Sequence, residues 1–405
     1  MKPFYIDGGK VYSYSLLVEE IDKETGYCPL YKTSDTYAYW KNLLKALAGG
    51  QPVTLLDSDM SPDEIAGIDI ARLNVSVGIE HEPVRTVERL IAAVKDSKSE
   101  IAIFTSGTTG QPKKIVHTVA SLTRTTRIGE KYRNDVWGFA YNPTHMAGLQ
   151  VFFQAFENRN TMVNLFGKGR TEIYDMIRWH QITHLSATPT FYRLLLPVEE
   201  SCPGVIRATV GGERSDEKLY DDIKKIFPNA RVNNIYASTE AGTLFSSQDD
   251  CFRIPEAIRD RIKVAEQELL IHKSLLGTSD DMPLHEDYYH SGDIVEWVNE
   301  DKGVFRFVSR KNGMINAGGY KVNPEEVEAA LMSVAGIRQA LVYGRSNSVL
   351  GNVVCADVVP EPGSRIDAIE IRQAMQGRLQ DFKIPRRIRI VEALPLTRTG
   401  KLKRS

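Results

Sequence analysis

The sequence predicts an α/β layered protein with a large N-terminal domain and a small α+β C-terminal domain joined by a hinge. Three observations lead there. From residue 101 to about 290, short apolar runs alternate with amphipathic helical stripes, the pattern of strands covered by helices. Near 290 the texture changes to paired, apolar-rich strands. The 405 residues also exceed what one ordinary core accommodates, so the chain should divide. The expected domains are 1–309 and 310–405.

The elements follow in chain order. Residues 1–100 carry weak signals: Val11 to Ile21 reads as a strand or a helix. Trp40 to Ala48 reads as a helix closed by Gly49 and Gly50, and Val53 to Leu56 as a buried strand. Ser61, Pro62 and Glu64 form a helix start, with cap, first-turn proline and N3 acid in place. Ile101 to Phe104 is a strand. Ile173, Met176, Ile177 and His180 share a helical face, His184 to Ala187 is the next strand, and Pro189 opens another helix. Ser215 caps a helix whose apolar face is Leu219, Ile223 and Phe227. Ile294–Val298 and Val304–Val308 read as a hairpin. Asn323-Pro324-Glu325-Glu326 starts a helix that Gly336 ends, Asp367 with Glu370 caps another, and Arg387 to Val391 is the last strand.

Composition excludes several classes. With 42% hydrophobic and 25% charged residues the chain is globular, and a net charge of −1 supplies no field for nucleic acid or an anionic membrane. No apolar run nears the roughly 18 residues of a membrane span, and the first residues lack a signal-peptide pattern. Cys28, Cys202, Cys251 and Cys355 are scattered without a C-x-x-C pair, and no histidine pair has metal-ligand spacing. A cytoplasmic protein without nucleic-acid or membrane partners is expected.

One loop stands out. The strand ending at Phe104 runs into Thr105-Ser106-Gly107-Thr108-Thr109-Gly110-Gln111-Pro112-Lys113-Lys114. Its glycines let the backbone approach a ligand, its hydroxyls donate, and its lysines add charge, which suits a polyphosphate. It is not a Walker loop, because Pro112 stands where the second glycine should be. Read alone, such a loop is either a mobile surface turn or a phosphate cradle.

Four later segments change that balance: Asn234–Glu240, Tyr289–Asp293, Ser309–Asn312 through Gly318–Glu328, and Pro395–Lys401. With the loop, in this order, the chain resembles the ANL superfamily of adenylate-forming enzymes, which includes acyl- and aryl-CoA synthetases, peptide-synthetase adenylation domains and luciferases. The resemblance implies ATP and Mg²⁺ as cofactors, a small carboxylic acid as substrate and an acyl-adenylate as intermediate. It implies coenzyme A or a carrier protein as thiol acceptor, and leaves a second copy of the chain as a further partner. Ser106, Thr108, Thr109 and Lys113 would then hold the β- and γ-phosphates, within a loop of Thr105, Gly107 and Gly110. Thr239 would bond the α-phosphate and Glu240 would ligate Mg²⁺. Tyr236 would stack on adenine beside Gly211 and Gly212, while Asp293 and Arg310 would bind the ribose. Lys401 would bridge the substrate carboxylate and the α-phosphate. Tyr141, His145, Gly148 and Ala237 would line the acyl pocket, although His145 reads equally as a packed core histidine. Asn312 would be the pivot on which the smaller domain swings to present Gly318 and Gly319 to the thiol.

The chain departs from the family at Ala237, Lys114, Asn312 and Lys321, and its segment 1–100 is a shortened first subdomain. The trimming motivates a second reading, a nucleotide- or partner-binding protein without catalysis. Within the first reading, a phenazine-type aromatic acid in antibiotic biosynthesis is the substrate expectation.

Overall fold

The computed structural model describes residues 2–58, 68–105, 113–213, 215, 217–280, 282–317, 320–347, 351–376, 378–379 and 381–396. The chain forms two compact units, Met1–Arg261 with Ile271–Tyr289, and Ile262–Leu270 with His290–Ser405. The boundary expected at 309/310 falls inside the second unit. The reason is local: Asp293 pairs with Arg310 and Ile294 with Ser309 across one antiparallel ladder, so a cut there would split a hairpin.

The first unit is built on an eight-stranded sheet. Its order is Gly242–Ser247, Arg231–Ser238, Arg207–Gly211, His184–Ala187, Val136–Phe139, Thr161–Asn164, Pro3–Asp7 and Lys10–Ser13. The outermost strand at each end is antiparallel to its neighbour, and every pairing between them is parallel. Central strands such as Thr161–Asn164 and His184–Ala187 are buried at every position, as parallel sheets covered on both faces require.

The weakly patterned first hundred residues do not form a body of their own. Pro3–Asp7 enters the large sheet beside Thr161–Asn164, and Lys10–Ser13 completes its edge. Ser13 then caps the helix Tyr14–Lys23, so the stretch Val11–Ile21 is strand first and helix after. The helix Thr36–Ala48 begins ahead of Trp40 because Asp35 supplies the cap. Trp40 is fully buried and stacks on Phe152 of the helix Met146–Glu157, with ring centroids 4.1 Å apart. A second sheet orders Leu30–Lys32, Val53–Leu56, Ile101–Thr105 and Lys113–His117. The helix expected from Ser61 lies outside the described residues.

Later helices fall where periodicity puts them. Arg170–Trp179 buries Ile173, Met176 and Ile177, with His180 as its C-cap, and Glu217–Ile226 buries Leu219 and Ile223. Thr188 caps Pro189–Leu194.

In the second unit, Val304–Arg310, Tyr288–Asn299, Glu268–His272 and Ile262–Ala265 follow one another in a sheet. Asn323 caps Pro324–Met332 as expected, but that helix ends at Ser333; Gly336, at φ +89°, turns the chain into Ile337–Asn347. Asp367 and Glu370 form a reciprocal capping box on Ala368–Met375. Arg387–Ile390 runs parallel to Gly351–Pro360. Among the described residues no helix is long and apolar enough to cross a membrane.

Candidate active site

Open α/β sheets gather ligands outside the carboxyl ends of their parallel strands. Several expected site residues stand at that edge. Tyr141 follows the strand Val136–Phe139, Gly211 ends Arg207–Gly211, and Tyr236 and Ala237 lie near the end of Arg231–Ser238. Burial pushes the Tyr141 phenol well above its ordinary range, against the pull of a hydrogen bond with Ser186. A Cβ on Gly211 would sit 3.3 Å from the Ile235 carbonyl oxygen and 3.8 Å from the Tyr141 hydroxyl, so the strand end has little room to spare. Gly212 follows in the left-handed region at φ +83°. Tyr236 is half-buried, its ring tilted against Phe245 at 5.4 Å and edge-on to Phe252 at 6.2 Å. A bulge between Tyr236 and Ala237 re-aims the residues after it.

His145 precedes the helix Met146–Glu157, and its Nε2 lies 3.5 Å from a carboxylate oxygen of Asp57. Asn142 donates to that same oxygen at 2.8 Å, and Asp57 is buried. His145 is therefore tied to an acid from the first hundred residues. Gly148 has a packing reason of its own: a Cβ there would fall 2.3 Å from the Asn142 carbonyl oxygen.

The Gly/Ser/Thr loop is closed at its base by the hairpin Ile101–Thr105 and Lys113–His117, in which Thr105 pairs directly with Lys113. Ser106, Gly107, Thr108, Thr109 and Gly110 lie outside the described residues, as do Lys401, Gly318 and Gly319. The outgoing strand ends at His117, buried, with Nε2 2.8 Å from the carbonyl oxygen of Thr239. A carbonyl only accepts, so Nε2 carries the proton. Burial lowers the pKa of this imidazole, leaving it neutral at neutral pH.

Thr239, Glu240 and Ala241 form the turn between Arg231–Ser238 and Gly242–Ser247. The N–H of Gly277 donates to the Glu240 carbonyl at 2.7 Å, and the Arg124 guanidinium donates to that of Ala241 at 2.5 Å. Gly242 leaves the turn at φ +65°, where a Cβ would lie 2.9 Å from the Gln150 amide nitrogen. The side chains of Thr239 and Glu240 are half-buried, yet neither has a hydrogen-bond or ion-pair partner among the described residues; the same holds for Lys113. Among the described residues, a cation, a hydroxyl and a carboxylate thus stand without a side-chain partner in one unit.

The second unit holds its expected residues differently. Asp293, its side chain 3% exposed, accepts from Arg310 Nε at 2.8 Å. The two expected ribose ligands thus bind one another. Beneath them Glu268 is buried, accepting from the Gly292 N–H at 2.9 Å, from His290 at 3.1 Å and from the Lys311 ammonium at 3.1 Å. Burial works to raise the Glu268 pKa, but the bonds from His290, Lys311 and Gly292 prevail and hold it below the usual carboxylate range. Lys311 adjoins Asn312, which lies in the short 3₁₀ turn Lys311–Gly313.

Sequence reasoning missed Asp57, His117, Arg124, Gly277 and Glu268. Two left a trace. His117 occupies an inward position of the alternating strand Lys113–His117, and Glu268 opens the strand Glu268–His272 directly before the apolar run Leu269-Leu270-Ile271. Arg124 and Gly277 carry no local signal, since both act on a turn more than a hundred or several tens of residues away in the chain.

These features place the chain among α/β proteins that collect polar side chains at the carboxyl edge of a parallel sheet, beside a hairpin-closed glycine-hydroxyl loop. The AMP-binding enzyme family matches residues 43–266, and the AMP-binding enzyme C-terminal domain matches residues 326–401. The chain belongs to the AMP-binding enzyme family, within the ANL superfamily that its five motifs resemble. It is similar to 4-hydroxybutyrate--CoA ligase 1 of Metallosphaera sedula, 26% identical over 359 residues that make up 77% of this chain and 63% of that protein. It is also similar to 2-succinylbenzoate--CoA ligase of Bacillus velezensis, 26% identical over 337 residues, 75% of this chain and 67% of that protein. The chain thus spans about two thirds or less of the length of these curated relatives. Among solved structures, ATP-bound MatB from Rhodopseudomonas palustris matches with a TM-score of 0.72 and 17% identity, covering 99% of this chain and 94% of that one. The o-succinylbenzoate coenzyme A synthetase (MenE) of Bacillus subtilis in complex with ATP and magnesium matches with a TM-score of 0.70 and 18% identity, covering 99% and 95%. At that identity the likeness shows a shared fold, a large N-terminal and a smaller C-terminal domain.

Proposed function

We propose that this chain activates a carboxylic acid with ATP and Mg²⁺, forming an acyl- or aryl-adenylate and releasing pyrophosphate, and then passes the acyl group to a thiol. Coenzyme A is the first acceptor to test, because the relatives named above are CoA ligases; a carrier-protein phosphopantetheine presents the same arm. One observation carries the reading: Lys113, Thr239 and Glu240 stand half-buried, with no side-chain hydrogen-bond or ion-pair partner among the described residues, in the unit whose hairpin closes the phosphate-type loop.

That donor set fits the cofactors. A carboxylate with free lone pairs suits a hard divalent cation, and an ammonium and a hydroxyl suit phosphate oxygens. Mg²⁺ would supply neutralisation of the polyphosphate. In this reading Glu240 holds the metal, Thr239 bonds the α-phosphate, and Lys113 with Ser106, Thr108 and Thr109 holds the outer phosphates. Tyr236, braced by Phe245 and Phe252, offers a flat face to adenine beside Gly211 and Gly212. Asp293 and Arg310 serve the ribose once they exchange their mutual bond for the sugar. Lys401 neutralises the charge that builds as carboxylate attacks the α-phosphorus. Tyr141, His145, Gly148 and Ala237 border the acyl group, the residues beyond Asn312 move on that pivot between the half-reactions, and the protein acts in the cytoplasm.

The decisive experiment is carboxylate-dependent exchange of labelled pyrophosphate into ATP, over aliphatic, amino and aromatic acids that include a phenazine-type acid. Thioester formation is then measured with coenzyme A and with a carrier protein. Exchange that depends on Mg²⁺ and disappears in Lys401→Ala supports the enzyme. ATP binding without exchange for any acid would establish the non-catalytic binder instead. Asn312→Pro should retain pyrophosphate exchange while blocking thioester formation; equal loss of both would remove the pivot from residue 312.

A further inference from the structure

Turn carbonyls in a hairpin commonly face water, yet three in succession are captured in this protein. His117 Nε2 takes the oxygen of Thr239 at 2.8 Å, the Gly277 N–H takes that of Glu240 at 2.7 Å, and Arg124 takes that of Ala241 at 2.5 Å. The three donors come from different parts of the first unit. His117 ends the strand leaving the glycine-hydroxyl loop, and Arg124 follows the short helix Val119–Leu122. Gly277 sits in a segment bridged to that same strand through Thr278 and Val116.

The donors also brace one another. A Cβ on Gly277 would lie 2.6 Å from the His117 ring and 2.8 Å from Ile115, so only glycine lets its N–H reach Glu240 past the imidazole. Arg124 donates a second bond, at 3.0 Å, to the carbonyl of Leu275 in the approach to Gly277. Meanwhile the hydroxyl of Thr239 and the carboxylate of Glu240 keep no partner among the described residues. The backbone of the turn is held and its side chains are left available.

We propose that His117, Gly277 and Arg124 are positioning residues that lock the Thr239–Glu240–Ala241 turn by its carbonyls, presenting Thr239 and Glu240 to a metal–nucleotide polyphosphate in register with the loop hairpin. This rests on the functional reading above and deepens it. The three act through the backbone of the turn; His117 couples the hairpin strand to it, because the strand that Lys113 opens closes on Thr239. A group held in place before binding need not be ordered at the moment of reaction, which is where such bracing gains rate.

The test compares His117→Leu, which removes the donor, with His117→Gln, whose amide nitrogen can reach the same carbonyl. Three quantities are read on the full chain: pyrophosphate exchange at varied Mg·ATP, Mn²⁺ binding in the presence of ATP by electron paramagnetic resonance, and hydrogen–deuterium exchange of the peptides carrying Ala241 and Gly277. In His117→Leu, kcat for exchange should fall about 10- to 100-fold, Mn²⁺·ATP binding should weaken about 10-fold, and the two amides should exchange at least about 10-fold faster. His117→Gln should stay within about threefold of the parent in all three. Equal behaviour of the two variants, or unchanged amide exchange in His117→Leu, overturns the proposal. A parent chain that catalyses no exchange with any acid would remove the functional reading, while the amide comparison still decides whether His117 holds the turn.

Discussion

Two regions that carry polar site residues are secured by opposite means. In the first unit the Thr239–Glu240 turn is gripped through main-chain carbonyls by His117, Gly277 and Arg124, and the side chains of Thr239 and Glu240 keep no partner among the described residues. In the second, Asp293 and the neighbouring Gly292 are held by charge: Arg310 on the aspartate, and the buried Glu268 gathering His290, Lys311 and the Gly292 amide. The contrast separates function from stability. Where the backbone bears the load, a side chain can be changed without unfolding its surroundings. Where the side chain itself is the brace, one substitution touches both.

Glu240→Gln is the strongest way to break that contrast. It should lower pyrophosphate exchange by 10²-fold or more, about 3 kcal/mol of barrier, while shifting stability by less than ~0.5 kcal/mol. A large fall in denaturant midpoint would show that the carboxylate is structural after all. Asp293→Asn should cost both quantities: weaker ATP binding, and about 1–3 kcal/mol of stability from the impaired charge-assisted bond to Arg310. Loss of nucleotide affinity with no change in unfolding would mean the Arg310 bond contributes nothing.

Glu268→Gln sharpens the comparison through pH. The carboxyl is held below its ordinary value of 4.5 in the folded chain, so its contribution is present above that value and is lost as pH falls through the lower folded pKa. The parent should exceed the variant by about 1–2 kcal/mol at neutral pH, with the gap closing in acid. A gap that persists at low pH would assign the effect to packing. Smallest of the four is Gly242→Ala, which forces a Cβ onto a φ of +65° against Gln150. It should cost about 1 kcal/mol of stability, read from thermal melts, and a turn that tolerates it has moved away from the Met146–Glu157 helix.

Much of the architecture was legible in the linear chain because it is local. Capping chemistry at Asn323 and Asp367, the apolar stripe of Ile173, Met176 and Ile177, and the buried strand His184–Ala187 depend on neighbours a few residues away. The five motifs likewise carry their residue types in order. Less readable were the first hundred residues, whose strand Pro3–Asp7 finds its partner at Thr161–Asn164. No short window encodes a pairing at that separation.

Family membership, most helices and strands from residue 101 onward, and which polar residue types cluster in which segments are written in the linear chain, since propensity, capping and motif spacing act over short distances. Three-dimensional packing is what brings Asp57 to His145, sets Glu268 against the Gly292 amide, and carries three distant donors to the carbonyls around Glu240. Those contacts form between chain segments brought together by burial of the sheets and helices, and a hydrogen bond made by a backbone carbonyl leaves no mark on the identity of the residue that carries it.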